Sequence, residues 1–433
     1  MDRGRSRTVA KLPSRAARPR QREDPMFIRR NPLPPIAVCW DQDGLMLAQL
    51  DPYAVRDQAG PVPPDNGQCA PRRLRALARR PLPNTRQDDV NTTEMAQAVR
   101  ALVEQHVPGA CRALLCLGPT ELFVYTVRMP VMPAEELGQA VRWEARERLP
   151  YPLEEAELRH VPTTTVRVDG EIRQETIVLA CHHDVLARSI RIAERAGLEP
   201  VAVDVQASAV LRCVPPAPCT DSVLDDGGEA AAQGSSAGID RPPLNIVVHV
   251  GPSCSTVAAG AQGRLAFLKY VRVGAEDIDT AVARAVELSP ADARRIRLSV
   301  MQQATPDLGN EVHRSILDAV NTRLEALAAE IQLCLQHLKV TYRGHPWPTL
   351  WLSGHEATHW TAHFLSLRLG VPVTLLDPFE AVAPPAGAAV DAVPVRGVWT
   401  AVCGLALHPL ADPAPATSRA REPRSAPLLQ ETR

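Results

Sequence analysis

The sequence predicts an α/β protein made of two similar halves, and three patterns carry that reading. Each half opens on short apolar strands joined by a tight turn. Ile36 to Trp40 and Leu45 to Leu50 flank Asp41-Gln42-Asp43-Gly44, while Leu244 to Val250 and Ser255 to Ala259 flank Gly251-Pro252-Ser253. Each half then alternates strand and helix periodicities, the grammar of α/β units. Between them, residues 215–243 are polar and carry Asp225-Asp226-Gly227-Gly228 and Gly234-Ser235-Ser236, a linker composition.

A chain of 433 residues is too long for one ordinary core. Its 45% apolar content suits a globular protein, and with only 4% aromatic residues the cores must be built from Leu, Val, Ile and Ala. The net charge of -1 excludes a nucleic-acid binder that relies on a global positive field. Among 48 basic residues only Lys11, Lys269 and Lys339 are lysine, so arginine abundance is a bias of the whole chain and not a mark of phosphate recognition. The 10 cysteines lack C-x-x-C spacing and sit in apolar runs such as Leu114-Leu115-Cys116, which fits small core residues in a reducing, cytoplasmic compartment. The longest apolar run, Gly397 to Leu407, falls short of the roughly 18 residues needed to span a bilayer, so no direct membrane span is expected. Residues 1–30 are arginine-rich without an apolar segment, which reads as a disordered basic arm over 1–35, or as an over-extended start with Met26 as initiator.

Taken in order, the hairpin of 36–50 is followed by a polar stretch, 51–93, with Pro61-Val62-Pro63-Pro64 and the Arg72-Arg73 and Arg79-Arg80 pairs, read as a solvated insertion. Met95 to Gln105 predicts a helix and Ala113 to Leu117 a strand. Pro133 suits a helix first turn, Glu135 and Glu136 complement the positive end of the dipole, and Leu137, Val141, Ala145 and Leu149 mark an i, i+4 face. Ile177 to Cys181 is a strand, and the helix after it ends at Gly197. In the second half, Leu265 to Val273 is a third strand, and Ser289-Pro290-Ala291-Asp292 has the residues of an N-cap, N1 proline and N3 acid. Ile316, Val320, Leu324, Leu327, Ile331, Leu335 and Leu338 step by three or four residues along one helix of about 25 residues. Leu350 to Ser353 is a strand, Glu356 to Leu369 a helix, Val371 to Leu376 a strand, and 408–433 a Pro/Ala/Arg-rich disordered tail.

Arg128-Met129-Pro130-Val131-Met132-Pro133-Ala134-Glu135-Glu136-Leu137, continuing through Trp143-Glu144-Ala145 to Leu149-Pro150-Tyr151-Pro152-Leu153, resembles the small 1C subdomain of the type IV pilus assembly protein PilM family, within the actin-like ATPase superfamily. Gly197-Leu198-Glu199-Pro200, Leu352-Ser353-Gly354, Gly370-Val371-Pro372, Asp377-Pro378-Phe379 and Gly404-Leu405-Ala406-Leu407 follow in the family's order. The resemblance implies a duplicated, ribonuclease-H-like actin fold. Its first, 1A-like lobe would hold 36–121 and 199–214, a 1C-like subdomain 122–198, and the second lobe 244–407. It also implies a nucleotide cleft between two phosphate-binding turns. Against that pattern the first aspartate falls at Cys39 and its glycine at Asp41, and the second aspartate falls at His249, while Gly251 and Ser253 remain. The adenosine-binding motif starts at Gly354 but continues as His355-Glu356.

The vestigial cleft residues are therefore Asp41, Asp43, Gly44, Gly251, Ser253 and Gly354. Without the two carboxylates a Mg²⁺ loses its outer-shell anchors, and Asp41 and Asp43 would repel a triphosphate. The expectation is a protein with no cofactor, ATP and Mg²⁺ being held only if Asp41 and Asp43 have taken over the metal. The resemblance further implies a cytoplasmic adaptor peripherally attached to the inner membrane. Its partner would be the cytoplasmic N-terminal peptide of a PilN-like single-span protein, beside other pilus or secretion components and with self-association left open. Trp143 and Leu115 are the candidate partner-binding residues. An ATP-binding member of the family is the alternative.

A third reading comes from His355-Glu356-Ala357-Thr358-His359, which matches the helical H-E-x-x-H zinc motif, with Glu380 as a further ligand. Against it, the motif follows a strand and glycine directly, which puts His355 on a frayed first turn.

Overall fold

The computed structural model describes residues 33–52, 72–82, 92–215, 243–261, 264–303, 306–347 and 349–411. The predicted arm, linker and tail, and the remaining parts of the polar insertion, lie outside the described residues apart from a few positions at their edges.

The first half begins with the predicted hairpin, β1 (Ile36–Trp40) and β2 (Gly44–Leu50), paired antiparallel around the Asp41–Asp43 turn. β3 (Arg72–Pro81) then runs antiparallel to β2, which corrects the reading of this part of 51–93 as a loop. Ala76 and Ala78 pack on one face of the sheet and Leu74 and Leu77 on the other, across an irregularity in the β2–β3 register, while Arg73, Arg75 and Arg80 are exposed. α1 (Thr92–His106) leads to β4 (Arg112–Leu117), parallel to β1. β5 (Phe123–Pro130), α2 (Ala134–Arg148), β6 (Ala156–Val168) and β7 (Glu171–His182) form a small subdomain, a three-stranded antiparallel sheet of order β5-β7-β6. α2 buries Leu137, Val141 and Ala145, the first two packed with Val127, Met129 and Val178 of that sheet. α3 (His183–Arg195), β8 (Glu199–Val205) and α4 (Gln206–Arg212) complete the half.

The second half repeats the plan with β9 (Asn245–Val250), β10 (Ser255–Ala261) and β11 (Arg264–Val271), a meander of antiparallel neighbours. α5 (Ala275–Ala285) and α6 (Pro290–Met301) follow, and Ser289 caps α6 as predicted by accepting the Asp292 N–H at 3.2 Å. α7 (Glu311–Thr341) is longer than its apolar stripe suggested, because Asn310 accepts the Val312 and His313 N–H groups and starts the helix a turn early. All seven predicted stripe residues are buried, each worth roughly 1.5–3 kcal/mol of apolar transfer. β12 (Leu350–Gly354), α8 (His359–Leu369), β13 (Val373–Leu375), β14 (Val382–Ala383) and α9 (Thr400–Ala406) close the chain.

Two larger sheets result, of order β14-β3-β2-β1-β4-β8 and β11-β10-β9-β12-β13. α1 and α3 cover one face of the first, and α5 to α8 cover one face of the second. α4 and α9 lie in the core between the inner faces. Gly404 on α9 comes so near Ala209 on α4 that a Cβ there would sit 1.8 Å from the Ala209 carbonyl oxygen, which is why the two helices can cross in this layer. The return of β14 to β3 and of α9 to β1 and β2 corrects the expected second lobe of 244–407, whose last part completes the first lobe. Among the described residues no helix is long and apolar enough to cross a membrane.

Candidate functional site

The β1–β2 turn, the β9–β10 turn and the turn after β12 face each other where the two lobes meet. Of the residues marked in the sequence, Asp41, Asp43 and Gly44 belong to the first turn, Gly251 and Ser253 to the second and Gly354 to the third, and most of their hydrogen bonds go to the protein around them. Asp41 folds its own turn: its Oδ1 accepts the N–H of Asp43 at 2.8 Å and of Gly44 at 3.0 Å. Burial, with the neighbouring Asp43 carboxylate, pushes the Asp41 carboxyl up from its ordinary value.

Asp43 reaches across to the second lobe. Its Oδ2 accepts from Arg294 of α6 at 2.6 Å and lies 2.9 Å from Nε2 of His355. Burial alone would raise its pKa, but those two hydrogen bonds outweigh it and hold the carboxyl well below the usual carboxylate range. Arg79 of β3 adds a donor to the Asp43 carbonyl at 3.1 Å. With the amide of Gln42 oriented so that its nitrogen faces Glu276, it donates to that carboxylate at 3.0 and 3.2 Å, a second link from the same turn to α5. A cavity of about 240 Å³ adjoins the cluster, lined by Asp43, Arg79, Arg294 and His355 with an apolar wall that includes Leu298 and Val398.

The β9–β10 turn is likewise closed on itself. The Gly251 N–H donates to the Cys254 carbonyl at 3.0 Å, and Pro252 has none to give. The Gly251 and Pro252 carbonyls accept from Ala275 and Glu276, which seats the turn on the start of α5, with Ser253 partly buried beside it. His249 stands where the family pattern calls for an aspartate. It is 3% exposed and hydrogen-bonds through Nδ1 to Ser353 Oγ at 3.1 Å, and burial, helped by the charge of His355, pushes its pKa down to about 3. A neutral imidazole there cannot stand in for a carboxylate.

Gly354 carries the third element. Its φ of +88° and its closeness to Val250, whose carbonyl oxygen would be 2.2 Å from a Cβ, leave backbone where a ligand would approach, and Gly397 packs on the same point. His355 then fills the space beyond. Tested against a Mg-nucleotide, the residues do not fit: Asp41 is spent on its turn, Asp43 is paired with Arg294 and His355, His249 is uncharged, and the glycine surfaces are covered.

The zinc reading is corrected by the same geometry. α8 begins at His359, capped by Thr358, so His355 and Glu356 lie before the helix and cannot share a helical face with His359. His355 is buried against Asp43, Glu356 is paired with Arg297, and His359 is exposed. Glu380 sits in a short turn, Pro378–Glu380. Among the described residues no group of three or more His, Cys, Asp or Glu is placed to hold a metal ion.

Of the two candidate partner residues, Leu115 is corrected: at 1% exposure it packs under α1 in the first core and cannot touch another protein. Trp143 is 65% exposed on α2, beside a groove of about 350 Å³ lined by Gln139, Arg142, Arg146, Leu153 and Glu154. Sequence reasoning missed Arg294 and Arg297 altogether. Their only signal was the dense run Arg294-Arg295-Ile296-Arg297 on a helix that also had to bury a face.

The sequence model of the family described as type IV pilus assembly protein PilM matches residues 71–409. Among solved structures, the chain is similar to the PilM-PilN type IV pilus biogenesis complex, with a TM-score of 0.64 at 20% identity over 87% of this chain and 98% of that one. It is also similar to the ethanolamine utilization protein EutJ from Carboxydothermus hydrogenoformans, with a TM-score of 0.46 at 15% identity over 87% and 91% of the two chains. The architecture is the two-lobed actin-like α/β fold.

Proposed function

The chain belongs to the type IV pilus assembly protein PilM family, and from that premise we propose that it is a cytoplasmic adaptor that works without hydrolysing ATP. It captures the cytoplasmic N-terminal peptide of a PilN-like single-span inner-membrane protein and so holds the pilus machine's cytoplasmic parts to the membrane. The observation that carries the docking half of this reading is Trp143, a large apolar side chain left in water on the small subdomain above a groove flanked by Arg142 and Arg146. An apolar peptide with an acidic neighbour suits that surface. The absence of hydrolysis is supported by the Asp43 pairs and the neutral His249, which take up the carboxylate and the side chain nearest to the two phosphate-binding turns.

Calorimetry on the full chain tests both halves. The cytoplasmic N-terminal peptide of a PilN-like protein should bind, and Trp143→Ala should weaken it at least about tenfold, the loss of one buried aromatic contact. Mg-ATP up to millimolar concentration should give no heat of binding. Unchanged peptide affinity in Trp143→Ala, or micromolar affinity for Mg-ATP, would overturn the corresponding half.

A further inference from the structure

We infer that the two lobes are tied shut by the protein's own side chains, Asp43 from the first lobe with Arg294 and His355 from the second, in the place where a bound nucleotide would otherwise bridge them. The inference rests on the reading above that the cleft takes no nucleotide. Three observations carry it.

First, the contacts cross between lobes: Asp43 and Arg294 are 251 residues apart in the chain and meet at 2.6 Å, with side chains only 16% and 31% exposed. A charge-assisted bond so shielded is worth more than a surface pair. Second, the second-lobe partners are held on fixed supports. The main-chain N–H of His355 donates to the Val250 carbonyl at 2.7 Å, and Arg294 lies 4.0 Å from Asp279. Asp279 is itself bonded to Arg297 at 2.6 Å, and Arg297 to Glu356, the residue after His355. Both ends of the tie therefore grow from one buried network in the second lobe. Third, Gln42 of the same turn lies 3.0 and 3.2 Å from the Glu276 carboxylate, and with its amide nitrogen turned that way it makes a second crossing. A ligand phosphate in this cleft would have to displace Arg294 and His355 from Asp43 and leave that carboxylate beside its own charge.

Amide hydrogen exchange on the full chain tests the tie by a double-mutant cycle. Asp43→Asn and Arg294→Gln should each speed exchange about tenfold or more in the peptides covering 39–46 and 290–301, with β9 and β12 unchanged, and the double variant should be no faster than either single one. Unaltered exchange in both single variants, or effects that multiply in the double, would overturn the tie. Arg294→Gln removes a partly exposed side chain, so it keeps the test open even if Asp43→Asn folds poorly. Micromolar Mg-ATP binding with the cycle intact would instead overturn the reading of the cleft, so the two failures are distinguishable.

Discussion

Arg297 and Glu356 meet inside the second lobe as a bidentate pair, with guanidinium nitrogens 2.8 and 2.6 Å from the two carboxylate oxygens and both side chains fully buried. Asp279 takes the third guanidinium donor at 2.6 Å. Such a triad is a poor source of net stability but is expensive to break, because the remaining charge stays buried. Arg297→Met should therefore lower unfolding stability in urea by about 3–5 kcal/mol. Replacing all three residues together by apolar ones of similar volume should cost far less than the single change.

His249 predicts a pH dependence. Its folded pKa of about 3 lies below the unfolded value of 6.5, so the unfolded chain binds the extra proton and stability is lost as pH falls from neutral toward 3. Between pH 7 and pH 5 that loss is about 2 kcal/mol. The difference in stability between the native protein and His249→Gln, measured by chemical denaturation at both pH values, should shrink by that amount on acidification.

Gly354 should not tolerate a side chain. A Cβ would lie 2.2 Å from the Val250 carbonyl oxygen, in a backbone conformation that already disfavours L-residues. Gly354→Ala should lower thermal stability by at least about 2 kcal/mol, and the displaced His355 should leave Asp43. Gly370 at the end of α8, which has a positive φ but open space around it, should tolerate alanine at about 1 kcal/mol.

Glu175 joins the small subdomain to α7 of the second lobe. It accepts from Arg128 at 2.9 Å and lies 3.2 Å from His337, and these bonds hold its carboxyl below the usual range against the opposing effect of burial. Because the folded value is depressed, its contribution is present above the unfolded value of about 4.5 and fades as pH falls below it. Glu175→Gln should cost about 1–3 kcal/mol at pH 7 and progressively less in acid, as followed by denaturation at each pH.

Legibility in the sequence followed the range of the forces involved. The seven-residue stripe of α7 and the Ser289 cap could be read because helix periodicity and capping act over three or four residues. β3 escaped because its buried residues, Leu74, Ala76, Leu77 and Ala78, fall on both faces and leave no clean alternation, in a chain where arginine is common everywhere. That His355 follows a strand and Gly354 was visible, but neither its place four residues before α8 nor its partner was, since nothing local links it to Asp43 more than 300 residues earlier. Leu115 was misread for the same reason: only the packing of helices on both faces of β4 shows that neither side of that strand is left open.

α9 has a consequence for how the molecule is made. Residues 400–406 supply part of the layer beneath β1 and β2, and Gly404 seats against Ala209 of α4. During vectorial synthesis the amino-terminal lobe must therefore wait, its inner face wet, until residues 400–406 have left the ribosome. A nascent chain halted near residue 390 would hold a second lobe able to fold beside a first that cannot, and a stop codon there would be a folding lesion in the half of the protein farthest from it.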